Sequence, residues 1–454
     1  MALHSSLQDF ALSELKKLVK IPSVSFPGFD RKFVDASAEA TRDLLERVGF
    51  KNVEITSIND CFPYVLAESS FDPKKPTCLL YAHHDVQPIG RSELWNSPPF
   101  EPQERDGRLY GRGTADDKAG ILVHAAAMEH FRKSGKELPV NLKVLIEGEE
   151  EIGSSNLLSF LEKHRDRLRS DVIIVTDTAN IQCGVPTLTT SLRGLVVVEL
   201  ILKSMKAPLH SGMWGGAIPD PVSILVNILA SLVDFDGNIQ LQSIGKPKEV
   251  DYSSLPVSKE EFAKQAGLLS SDLVKDDFFD RTWNRASFAI NAIQASSEQL
   301  ANNVICDRAY ARIGIRISKN ESATQVLQEL KEKICRELPK GIDLEMRHQE
   351  PADAWSIDPY ASKNRWAFKA AENALEKVFE HKLIYAGCGA TIPFIGPFER
   401  AFGAPVLTLG VEDPYTLAHS ENESLLLSDF YKCIESEILL FHELASQIKE
   451  RSHA

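Results

Sequence analysis

The chain has 454 residues, more than one hydrophobic core normally holds, so two domains are expected. Its 43% hydrophobic and 25% charged content is that of a soluble globular protein, and its net charge of −13 argues against nucleic acid or an anionic membrane as a partner. The longest apolar stretch, "VSILVNILASLV", is too short to span a bilayer, and the N-terminus lacks the basic start and apolar block of a signal peptide. The seven cysteines (61, 78, 183, 306, 335, 388, 433) are odd in number and never spaced as CxxC. That pattern fits reduced thiols in a cytoplasm and argues against a thiolate metal cluster.

Near the N-terminus, Leu7, Phe10, Leu12, Leu15 and Leu18 fall on one face of a predicted surface helix. Strand-like segments follow at 77–85, 141–151 and 171–178, with a helical pattern at 115–135 preceded by acidic residues suited to a helix start. Strands alternating with helices predict an α/β layer with a mostly parallel sheet flanked by helices. The middle differs. Segments 189–204 and 308–318 alternate apolar and polar like half-buried strands, around an apolar helix at 222–235 and a loop-rich charged stretch near 236–280. This pattern predicts an inserted α+β domain over 189–352, between two parts of one α/β domain at 1–188 and 353–454. The last strand-like segment of that domain is 404–411.

The ends of the predicted α/β strands share a chemistry. The first delivers His83 and Asp85, and "YGRGTADDKAG" places Asp116 and Asp117 just before a helix. The next leads into Glu150 and Glu151, the following one ends at Asp177, and the last leads to His419. In an open α/β sheet these strand ends form the crevice where ligands sit. Carboxylates and imidazoles converging there would repel one another, or bury charge at several kcal/mol per ion, unless a cation neutralises them. An oxygen-and-nitrogen ligand set without cysteine suits zinc, or manganese as a harder ion. Singly, each residue has a plainer explanation: a strand-end His-x-Asp is usually structural, consecutive glutamates are usually solvated, and Asp177 could cap a helix. Their recurrence at successive strand ends is what argues for a shared site.

Six motifs, "HHDVQP" (83–88), "YGRGTADDKAG" (110–120), "EGEEEIGS" (147–154), "VTDT" (175–178), "LHSGMWGG" (209–216) and "AHSENE" (418–423), make the sequence resemble a known family over nearly its whole length. The family is the dinuclear zinc metallopeptidases, which include cytosolic nonspecific dipeptidase, carnosinase, carboxypeptidase G and aminoacylase, and the wording is most similar to the dipeptidase branch. The resemblance implies two divalent ions, zinc or manganese, bridged by Asp116, with His83 and Asp177 completing one site and Glu151 and His419 the other. It implies that Asp85 bonds the far nitrogen of His83, that the Asp116–Asp117 peptide is cis, and that Glu150 is the general base for a metal-bridging water. Glu149 is left without a role and expected to be solvated, and His84 is expected to point away from the metal face as a structural residue. In the inserted lid domain, which dimerises in the family, His210 would reach a neighbouring subunit's site to stabilise the tetrahedral intermediate. Arg316 would steady the substrate's free carboxylate, with Asn303, Gly389 and Thr391 as further substrate contacts.

The match departs from the dipeptidase branch on the substrate side. The loop "GCGATIP" (387–393) carries Gly387 and Cys388 where a charged pair is usual, while Thr391, Ile392 and Pro393 keep the hydroxyl and the turn. Cys306 stands for a proline and Ala292 for a glycine. Cys388 reads as a small packing residue, since no activating base is near it in sequence. The implied activity is hydrolysis of dipeptides or short peptides next to a free C-terminal carboxylate. The alternatives are an N-acyl-amino-acid amidohydrolase or carboxypeptidase of the same family, and a non-catalytic protein that binds amino-acid derivatives. The last predicts loss of Glu150 or a ligand, and none is missing from the sequence.

Overall fold

The computed structural model describes residues 4–245, 249–392 and 395–453. Its large sheet has nine strands, which run across it as Lys51–Thr56, Tyr64–Glu68, Asn141–Glu147, Thr77–His83, Val172–Ala179, Val406–Glu412, Thr187–Leu192 and Trp355–Ser356, with Ile384–Cys388 added beside Thr187–Leu192. The four central strands, from Asn141–Glu147 to Val406–Glu412, are mutually parallel, and the outer pairs are mainly antiparallel. Every residue of Thr77–His83 is buried. A strand covered on both faces needs such an unbroken apolar run, with no polar alternation.

Helix Lys118–Ser134 packs on this strand, and helices Ser5–Val19 and Leu427–His453 pack on that helix in turn. The N-terminal helix buries Leu7, Leu15 and Leu18 as its pattern predicts, while Phe10 and Leu12 are only partly covered. Phe398 meets the ring of Tyr81 edge-on at 5.2 Å.

A second sheet is built from Ser287–Gln294, Arg308–Ile317, Gly194–Lys203 and Asp343–His348, in that order and antiparallel throughout. Val196, Val198, Leu200 and Leu202 on one strand and Ala311, Ile313, Ile315 and Ile317 on its neighbour fill one face. Helices Pro221–Leu232 and Ala323–Glu337 cover that face, so the alternation in sequence marks a sheet with one buried side.

The stretch 189–204, expected as one strand, divides at Arg193: Thr187–Leu192 lies in the large sheet and Gly194–Lys203 in the small one. The chain crosses here against its own return. A Cβ on Gly194 would lie 2.4 Å from the carbonyl oxygen of Ala352 and 2.7 Å from the amide nitrogen of Ala354, so only glycine admits the approach. The loop-rich segment contains two short helices, Lys259–Gln265 and Phe278–Trp283, gathered with Tyr252 around a small apolar cluster. Among the described residues no helix is long and apolar enough to cross a membrane.

Leu80 is fully buried at the centre of the Thr77–His83 strand. Leu80→Ala should therefore cost about 2–5 kcal/mol of stability, read by denaturant unfolding. A cost below ~1 kcal/mol would contradict this placement.

Candidate metal centre

His83 is the last residue of its strand and is fully buried, with Nε2 3.0 Å from Oδ1 of Asp116. The same nitrogen lies 3.9 Å from Oδ1 of Asp177 and 4.0 Å from Oε2 of Glu150. The other oxygen of Asp116, Oδ2, is 2.9 Å from Nε2 of His419, which also lies 3.3 Å from Oε2 of Glu151. Two triads result, His83–Asp116–Asp177 and Asp116–Glu151–His419, each with its ligand atoms within 4.8 Å of one another. Asp116 belongs to both, one oxygen facing each histidine. Glu150 stands beside the first triad but belongs to neither.

Local structure presents these groups. The Asp116–Asp117 peptide is cis, and helix Lys118–Ser134 begins directly after it. Asp117 does not cap that helix: its Oδ2 accepts a bond from the amide of His83 at 3.2 Å. A Cβ on Gly120 would lie 2.2 Å from both Asp117 Oδ1 and Thr176 Oγ1, so the helix can approach the sheet closely only with glycine there. Glu150 and Glu151 open a single turn, Glu150–Ile152, and Asp85 holds that turn. Its carboxylate accepts from the amide of Glu150 at 3.2 Å, the amide of Glu151 at 3.1 Å and the hydroxyl of Ser25 at 2.7 Å. Asp85 also faces the far nitrogen of His83: Nδ1 is 3.5 Å from its carboxylate and 3.1 Å from its main-chain carbonyl.

His84 is buried on the opposite side, with Nε2 2.9 Å from the carbonyl of Pro63. Glu149 corrects the expectation of a solvated side chain. It is buried, and its carboxylate accepts from the Tyr64 hydroxyl at 2.9 Å and from the amide and side chain of Asn156 at 3.1 and 3.2 Å. Three successive glutamates at a strand end therefore split among three environments: Glu149 against Tyr64 and Asn156, Glu150 beside the first triad and Glu151 in the second.

The electrostatics test whether cations fit. Burial pushes the carboxyls of Glu150 and Asp177 well above the usual carboxylate range and that of Glu151 up to about 7. Burial acts on Asp116 in the same sense, yet hydrogen bonds from His419 and His83 hold it well below that range. Four carboxylates facing two imidazoles carry more negative charge than a buried site retains unaided. An all-oxygen-and-imidazole set of this kind fits two divalent ions, with zinc and manganese both suited to the donors.

The substrate-side residues fall into two groups. Arg316 donates from Nη1 to the hydroxyl of Thr391, which in turn donates to the carbonyl of Arg193 at 2.6 Å. Arg193, which nothing in the sequence singles out, donates from Nε to the carbonyl of Gly389 at 3.1 Å and from Nη1 to Ser287 Oγ at 2.9 Å. It binds the glycine-rich loop to the second sheet. His210 and Asn303 form the other group: His210 pairs with Val304 in a two-stranded ribbon of Leu209–His210 and Val304–Ile305, and the carbonyl of Asn303, just before that strand, accepts from the amide of Ser211 at 2.9 Å. His210 is exposed, and its ring Nδ1 accepts from the amide of Gly212 at 3.1 Å. Cys388 is partly buried against the main core, and Pro393 lies outside the described residues.

A mixed α/β sheet whose strand ends gather two carboxylate–histidine triads around a shared aspartate defines a dinuclear metallohydrolase. Residues 79–441 match Peptidase family M20/M25/M40, and the chain belongs to that family. It is 31% identical over 356 residues to the cysteinylglycine-S-conjugate dipeptidase of Corynebacterium striatum, with 77% of each chain covered. Its fold is similar to the solved structure of the dipeptidase Dug1p of Saccharomyces cerevisiae, with a TM-score of 0.86, 26% identity and 97% of each chain covered. It is also similar to human carnosine dipeptidase 1, with a TM-score of 0.84, 26% identity and coverage of 97% of this chain and 96% of that one.

Glu147 is a further buried carboxyl behind the centre, accepting from Tyr81 at 2.7 Å and Tyr64 at 3.2 Å. Burial raises it from 4.5 to about 8. The unfolded chain ionises this group near 4.5 while the folded one keeps the proton, so its contribution to stability is lost as pH climbs from 4.5 to 8. Glu147→Gln should raise the melting temperature relative to the parent more at pH 8 than at pH 5. A parent–variant difference independent of pH would refute this assignment.

Proposed function

We propose that the chain is a metal-dependent dipeptidase that cuts a peptide bond next to a free C-terminal carboxylate. The observation that carries this reading is Asp116, whose two oxygens face two different histidines while Glu150 stands close by outside both triads. His83, Asp116 and Asp177 would hold one divalent ion, and Asp116, Glu151 and His419 the other, with Zn²⁺ preferred and Mn²⁺ also suited. When bound, the ions supply Lewis-acid chemistry, acidifying water and stabilising negative charge on the scissile carbonyl oxygen.

Glu150 takes the proton from the attacking water and returns it to the leaving amine nitrogen. Its raised affinity for a proton in the buried crevice suits the second half of that cycle. Asp85 fixes the base and its neighbour Glu151 together by holding both of their amides. Arg316, steadied by Thr391, offers a planar fork to the substrate carboxylate, with Gly389 and Asn303 as further contacts. Among the described residues His210 makes no hydrogen bond or ion pair with the centre of its own chain, which supports action on the site of a second copy. A homodimer joined through the inserted domain follows, and the exposed Ile290 and Ile293 on the edge strand Ser287–Gln294 support it. The seven cysteines are all unpaired, which supports a cytoplasmic setting.

A second reading keeps the chemistry and changes the substrate to an N-acyl amino acid. Gly387 and Cys388 favour it, because the loop beside Arg316 lacks a charged side chain to meet a substrate's free amine. Assaying dipeptides, β-alanyl dipeptides and N-acyl amino acids with Zn²⁺ and Mn²⁺ after chelation separates the two. Turnover of N-acyl amino acids alone would overturn the dipeptidase reading.

Glu150→Gln should keep two ions per chain by elemental analysis and lose at least a hundredfold in kcat. Unchanged turnover would remove Glu150 from the mechanism. Substitution of His210 should lower kcat without loss of metal. Mixing that variant with an Asp116 variant should restore part of the activity, and absence of any recovery would place His210 at its own chain's centre.

A further inference from the structure

Glu423 lies four residues beyond His419 and is fully buried. Its Oε2 accepts from Arg112 Nη1 at 2.6 Å and from the amide of Gly113 at 2.8 Å. Its Oε1 accepts from the amides of Ala115 at 3.0 Å and Asp116 at 3.2 Å. The main chain adds a bond from the amide of Gly111 to the carbonyl of Glu423 at 3.0 Å. Arg112 completes the junction, donating from Nη2 to the carbonyls of Ser420 at 3.0 Å and Pro88 at 3.1 Å. One carboxylate thus ties the loop that carries His419 to the loop that carries Asp116.

The two loops differ in what else holds them. Asp116 is fixed by its neighbours: Asp117 accepts from the amide of His83, and Lys118 donates from Nζ to the carbonyls of Leu18 at 2.9 Å and Ile21 at 2.8 Å. His83 itself ends a strand paired on both sides. His419 has no such frame. It sits in a loop with a left-handed backbone (φ +63°), and its side chain is 57% exposed. The other ties of that loop to the Pro88–Asn96 segment, Glu421 with Arg91 and Asn422 with Asn96 and Leu94, lie nearer the surface, where the Arg91 side chain is exposed.

We propose that Glu423 is a positioning residue for one of the two ions only: it sets the distance between His419 and Asp116, and the His83–Asp177 side does not depend on it. This rests on reading the two triads as a pair of metal sites. Glu423→Gln keeps the side chain's shape and one acceptor oxygen, but it removes the charge facing Arg112 and turns an amide toward two donors.

The test titrates Co²⁺ into chelator-stripped protein, following heat and the visible absorption of the bound ion. The parent should bind two ions. Glu423→Gln should bind one ion as the parent does and the other roughly 10–100-fold more weakly, the range typical for loss of a group that orients a ligand. Glu423→Asp, which keeps the charge on a shorter arm, should fall between them. Glu421→Gln, which removes the charge that Arg91 faces on the same loop, should match the parent. Equal weakening of both ions in Glu423→Gln, or weakening of neither, would overturn the proposal. A parent that binds fewer than two ions would instead sink the two-site reading beneath it. If Glu423→Gln does not fold, judged by its far-ultraviolet circular dichroism, Glu423→Asp decides the question by the same criterion of selective loss.

Discussion

The structure turns on concentrating negative charge where water is scarce. Asp116, Glu150, Glu151 and Asp177 converge at the ends of parallel strands, in a crevice with only His83 and His419 to offset them. Buried charge of one sign is tolerated only when paired, protonated or coordinated. Asp116 is paired from both sides by imidazoles, whereas Glu150 and Asp177 are pushed toward their protonated forms. That imbalance makes the site receptive to divalent ions, and Glu150 stands beside them outside both triads.

Around this centre lies a shell of carboxylates that touch no candidate ligand atom yet decide where the ligands point. Asp85 gathers the amides of the Glu150 turn, and Glu423 gathers the amides leading into Asp116. Each uses a carboxylate as a multiple acceptor for main-chain donors, which suits loops that lack a regular hydrogen-bond ladder. Glu147 and Glu149 play a related part behind the centre, sharing the hydroxyl of Tyr64. The acidic residues of this region therefore divide into candidate ligands and carboxylates that accept from main-chain amides and tyrosine hydroxyls.

The candidate metal centre and the candidate substrate contacts sit on different parts of the fold. The strand ends of the large sheet supply the metal centre, whereas the second sheet supplies Arg316 and, through Ser287, one anchor of Arg193. The glycine-rich loop bridges them, and this loop carries the departures at Gly387 and Cys388. No candidate metal ligand lies on that loop.

The sequence alone marked the layered α/β plan, the one-sided second sheet and the gathering of acidic residues and histidines at strand ends, because buried strands and their polar ends leave periodic and positional marks; the choice of His83, Asp116, Glu151, Asp177 and His419 among them came from the resemblance to the family. It could not place Glu149, whose burial depends on Tyr64 and Asn156, nor reveal Arg193 as the clasp of the substrate loop. The division of 189–204 between two sheets was likewise hidden, since it follows from Gly194 passing against the returning chain at Ala352 and Ala354. Those facts belong to the tertiary structure for one physical reason: each depends on a donor, an acceptor or a steric limit from a distant segment, and local pattern carries no trace of what folding brings alongside.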